Sequence, residues 1–184
     1  MKFLFRIFLV PPIVITCWLG MMLIHEAGHL LAALLTGGRV QKLVFYPLAF
    51  SRSDIDPNPH RLIVTWCGPL FGTLLPLLVV LVIRACHSHS WLTIVFGAFC
   101  LLANGAYLTF GWLDSAGDAA DLLNQGTPLP LLLLAGIPLI AGALYLFHIL
   151  GPRLGLRKAS RTDIVLATVS AIVLLTAGIL IDGR

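Results

Sequence analysis

Apolar residues run through this chain in five long blocks separated by short polar connections. The blocks cover roughly 13–35, 62–83, 91–112, 129–150 and 164–181. As a helix rising ~1.5 Å per residue, the first would be roughly 35 Å long, enough to cross a hydrocarbon core of ~30 Å. Pro11-Pro12 stand at its start and Gly37-Gly38 just past its end, the usual asymmetry of helix termini. The pattern predicts an all-α polytopic membrane protein with about five transmembrane helices, forming a single membrane domain over 1–184.

The connections refine this outline. The longest, 39–61, begins with Val40-Gln41-Lys42-Leu43-Val44-Phe45-Tyr46, rich in β-branched and aromatic residues, which predicts a strand or hairpin on or in the membrane. Its second half, Ser51-Arg52-Ser53-Asp54-Ile55-Asp56-Pro57-Asn58-Pro59-His60, reads as a solvated turn region. In the second span, Gly68-Pro69 and Pro76 suggest a bend packed against protein. Asn104 is a polar side chain inside the third span. After that span, 114–127 is acidic and glycine-containing with no basic residue, and 153–161 is a basic loop.

Composition agrees with lipid as the main solvent: 59% of residues are apolar and 11% charged, with a mean hydropathy of +0.98. The net charge of +4 resides in connections beside apolar blocks, where it serves topology and lipid headgroups, and there is no nucleic-acid signal. Lys and Arg are split between the two membrane sides too evenly to fix orientation. Cys17, Cys67, Cys86 and Cys100 lack disulfide or metal-finger spacing. Lys2 and Arg6 ahead of an apolar run resemble a secretory leader, but cleavage near Cys17 would halve the first helix, so an uncleaved span is expected.

One stretch departs from this apolar background. His25-Glu26-Ala27-Gly28-His29 places three ionisable groups inside an unbroken apolar run. Each costs roughly 2.5 kcal/mol or more at the centre of a membrane helix, so a purely structural role is a poor explanation. On a helix the i, i+4 histidines share a face and can reach one ion, with Glu26 near enough to handle a water activated there. A catalytic zinc usually takes three protein ligands, so a third is required. Topology brings Asp114, Asp118 and Asp121 to the same membrane side, on nearly one face if their segment is helical; Asp54 and Asp56 share the side but read as loop.

With these residues in view, the sequence resembles the site-2 protease family of intramembrane zinc metalloproteases. The resemblance rests on the His25 to His29 motif with its small Gly28, on Gly68-Pro69 opening the next span, and on Asn104 followed by an aspartate beside small residues. It implies a three-helix catalytic core over about 13–123, with two additional helices over 129–181. It also implies one Zn2+ held by His25, His29 and Asp118, with Glu26 as general base. Asp118 is preferred because Gly117 and Ala119-Ala120 flank it. The match at Asp118 departs from the family's pattern, with no proline between Asn104 and Asp118 and Ala119 in place of a glycine, and Leu113-Asp114-Ser115 is a rival reading that makes Asp114 the second choice.

The implied activity is hydrolysis of a peptide bond in or near a transmembrane segment of a membrane-protein substrate, at the cell membrane. Two other classes compete: a membrane metal transporter or sensor, and a catalytically silent relative that binds a partner. Glu26 between the histidines argues against the first, and the intact His-Glu-His set against the second. Cys86-His87-Ser88-His89 is a further candidate chelator but reads better as a solvated turn on the opposite side.

Overall fold

A computed structural model describes residues 9–45, 50–86, 91–115, 117–150 and 161–182. The order of elements is α1 (Val10–Leu35), β1 (Val40–Val44), β2 (Arg52–Ile55), α2 (Arg61–Ala85), α3 (Trp91–Phe110), a 3-10 turn (Gly111–Asp114), α4 (Gly117–Asn124), α5 (Leu129–Leu150) and α6 (Arg161–Asp182). Five helices are long and apolar enough to cross a membrane, which makes this a multi-pass membrane protein. The expected blocks match them closely. The motif Cys86 to His89 falls largely outside the described residues, as does most of the basic loop 153–161.

α1 starts with prolines in its first turn, where no intrahelical N–H is needed, and ends at Thr36. Thr36 caps it by donating its hydroxyl to the Ala32 carbonyl at 2.7 Å. α2 is one continuous helix despite Pro69 and Pro76. Both prolines are buried against protein, and the Thr73 hydroxyl donates to the Pro69 carbonyl at 2.7 Å.

The connection after α1 differs from expectation. Its first half forms β1, as anticipated, but the stretch read as solvated turn contains β2. The two strands pair antiparallel, with Leu43 opposite Ser53 and Val44 opposite Arg52. Arg52 is exposed while Ser53, Asp54 and Ile55 are half-buried, so most of a polar strand is partly covered by protein.

α1 packs along α2 at a close approach between small residues. A Cβ on Gly28 would strike the Cys67 carbonyl and the Phe71 side chain, and one on Gly68 would strike the His29 and His25 rings. Reciprocal glycines therefore bring the two backbones together where the ionisable motif lies. On another face of α1, Leu19, Met21 and Met22 form a core with Cys100 of α3 and Phe45, against which Leu174 and Leu175 of α6 pack.

Candidate metal centre

His25, Glu26 and His29 are all buried on α1. The helix projects both imidazoles toward α4, where Asp118 lies in the first turn. His25 Nε2 is 2.8 Å from Asp118 Oδ2, His29 Nε2 is 3.2 Å from the same oxygen, and the two Nε2 atoms are 3.2 Å apart. Among the described residues, His25, His29 and Asp118 form a group that can hold a metal ion.

The proton positions on the rings follow from their outer partners. His29 Nδ1 is 2.8 Å from the Val64 carbonyl, which can only accept, so that nitrogen carries hydrogen. Asn104 donates its amide to the Cys100 carbonyl at 2.9 Å, leaving its oxygen to accept from His25 Nδ1 at 2.8 Å. In neutral imidazoles both Nε2 atoms then bear lone pairs, directed with a carboxylate oxygen at one small volume. Three such donors repel one another unless a cation or proton lies between them, so the set fits a metal ion on its own chemistry.

Asp118 reaches the histidines through a local device. Ser115 has φ 53° and Gly117 φ 76°, so the chain reverses between the 3-10 turn and α4. A Cβ on Gly117 would overlap the Tyr107 hydroxyl, which accepts a hydrogen bond from the Asp118 backbone N–H at 3.1 Å. The reversal means that Asp114, Asp118 and Asp121 do not share one helical face. Asp114 ends the 3-10 turn, and its side chain lies outside the described residues; Asp121 is exposed. Asp54 is paired with Arg52 at 3.2 Å, and Asp56 is exposed.

Glu26 is held by residues that the sequence left in a solvated turn. Ser51 Oγ donates to Glu26 Oε1 at 2.8 Å, and Ser53 Oγ donates to Oε2. A cavity of about 650 Å³ has His25, Glu26, His29 and Asp118 in its wall. Arg52, Arg61 and Asp121 also line it and are exposed, so water can reach the buried donors from the hairpin side.

Five helices long and apolar enough to cross a membrane, together with a His-His-Asp group whose histidines are buried and whose aspartate is half-buried, define a multi-pass membrane protein with a site suited to a metal. The family model described as Peptidase M50B-like matches residues 3–113, and the chain belongs to that family. Membership suggests a metallopeptidase, and the family implies zinc as the metal. No match is found among curated proteins, nor among solved structures. The matched stretch contains the histidine motif, Gly68-Pro69 and Asn104, but stops five residues short of Asp118, which joins the histidines only through the fold.

Tyr107, Ser51 and Ser53 were missed from sequence. Tyr107 had a usable signal, one turn beyond Asn104 on the same helix face; the serines had none.

Proposed function

We propose that this chain is an intramembrane zinc metalloendopeptidase that hydrolyses a peptide bond in or near a transmembrane segment of a protein substrate. The observation carrying this reading is the convergence of two imidazole nitrogens and a carboxylate oxygen on one point, beside a buried glutamate in a cavity that reaches solvent. His25, His29 and Asp118 would hold the ion. When bound, zinc supplies Lewis-acid polarisation of a carbonyl and makes water acidic enough to lose a proton near neutral pH.

Glu26 is the general base. Its carboxylate takes a proton from the attacking water as the water oxygen bonds to the carbonyl carbon. As the C–N bond breaks, Glu26 delivers that proton to the departing amine. Ser51 and Ser53 fix the carboxylate by donating to its two oxygens. Asn104 and the Val64 carbonyl each bind a ring Nδ1 and so leave both Nε2 atoms to face the metal position.

A helical substrate hides its carbonyls in intrahelical hydrogen bonds and must unwind to be cut. Strand addition to the hairpin would hold it extended. The sequence suggested 40–46 as that edge, but Ser51 to Ile55 line the cavity, so β2 is the better placed strand.

The deciding variant is Glu26→Gln in the full chain purified in detergent. It should retain the metal content of the native protein and lose peptide cleavage by about 10²–10⁴-fold. Native protein that takes up no zinc would sink the reading. Zinc movement into proteoliposomes without cleavage would favour a transporter instead.

A further inference from the structure

A second cavity, of about 230 Å³, adjoins the metal centre on the side away from α4. Trp18, Met21 and Met22 of α1, Ala103 and Ala106 of α3, and Phe50 supply its apolar wall. His25, Glu26, Ser51 and Tyr107 line both this cavity and the larger one, so the two meet at the general base. Phe50 stands at the junction. Its ring meets Trp18 edge-on at 5.6 Å and stacks on Tyr107 at 6.2 Å.

Two of the polar side chains lining the small cavity are already committed. Asn104 bonds His25 and the Cys100 carbonyl, and the Ser51 hydroxyl donates to Glu26. A polar side chain entering there would lose its water without replacement, whereas an apolar one would exchange water for methionine and aromatic surface. The size is that of one large side chain, since a cavity of about 150 Å³ holds a benzene ring. Ala103 and Ala106 are three residues apart on one helix face, and their small size keeps the space open.

We propose that this cavity is the specificity pocket of the hydrolase. It takes the side chain of leucine, methionine or phenylalanine from a residue adjoining the scissile bond. The inference rests on the hydrolase reading above. It adds to that reading a criterion for where the substrate is cut, selected by one apolar side chain next to Glu26.

The test uses the zinc-loaded full chain in detergent and a synthetic library of single-span peptides with the central residues randomised, cleavage sites being read by mass spectrometry. The native protein should prefer Leu, Met or Phe over Ala or Ser beside the cut bond by roughly tenfold or more in kcat/KM. Ala106→Leu, which fills the pocket, should abolish that preference while still cutting peptides with Ala there. Met22→Ala, which enlarges it, should shift preference from Leu toward Phe.

A readout independent of turnover uses the Glu26→Gln variant. A bound peptide with a photoreactive leucine at the preferred position should crosslink to Met21, Met22 or Ala106. Cleavage by the native protein without preference at this position would overturn the pocket, as would crosslinks only to hairpin residues. Preference unchanged in an Ala106→Leu protein of normal zinc content would also overturn it. A native protein that binds zinc but cuts no peptide in the library would overturn the hydrolase reading, and the pocket with it.

Discussion

The first three spans and the last two solve the same problem of living in lipid in opposite ways. In α1, α2 and α3 a third or more of the apolar window is buried inside the protein, against 17% in α5 and α6. The early spans use that interior to shelter polar chemistry, with His25, Glu26, His29, Thr65, Thr73 and Asn104 all buried. α5 instead packs on α3 by close contact. A Cβ on Gly105 would come within 2.9 Å of the Gly136 carbonyl, and one on Gly136 within 2.7 Å of the Gly105 carbonyl. Without a hydrophobic drive between helices in lipid, intimate backbone approach is what joins α5 to the core. Polarity in one half requires depth; packing in the other requires only smallness.

If this division is right, the halves should fail differently when damaged. The largest effect is expected for Asp118→Ala, which removes one of the three proposed ligands and leaves two imidazoles facing each other. Zinc affinity should fall at least about a hundredfold, measured by competition with a chromogenic chelator. Next comes Asn104→Ala, which frees the His25 ring without touching a ligand. Zinc affinity should drop about 10–100-fold, with helix content by circular dichroism unchanged.

Replacing both Ser51 and Ser53 by Ala should leave zinc content intact and lower kcat about tenfold, because Glu26 loses both donors that aim it. The smallest functional effect is expected for Gly136→Val in the late half. It should destabilise the protein by about 1–3 kcal/mol through overpacking, while each folded molecule retains its kcat and zinc affinity. A Gly136→Val protein that stays folded but loses zinc would break the division between chemical and packing helices.

The same contrast explains what could be read from the sequence. The spans were legible because length and apolarity alone determine them, and the His25 motif because ionisable groups stand out against lipid-compatible neighbours. The hairpin's second strand was not, since Ser51 to Ile55 resemble any polar connection until Glu26 is seen to accept from two of their hydroxyls. The choice among Asp114, Asp118 and Asp121 was closed to periodicity for a different reason. The backbone reverses at Ser115 and Gly117, so the three never share a helical face. Gly117 was noticed as a small residue permitting close approach. Its positive φ and the Tyr107 hydroxyl in the place of a Cβ give that smallness its specific cause.

The donor set also imposes an order on the protein's birth. His29 leaves the ribosome 89 residues before Asp118, and Asn104, which sets the His25 proton, follows its histidine by 79. A nascent chain that has inserted only its first two spans carries the histidines and Glu26 without Asn104 and Asp118. The site is assembled only after the third span has entered the bilayer and the chain has turned at Gly117, so a partly made molecule holds no completed His-His-Asp group.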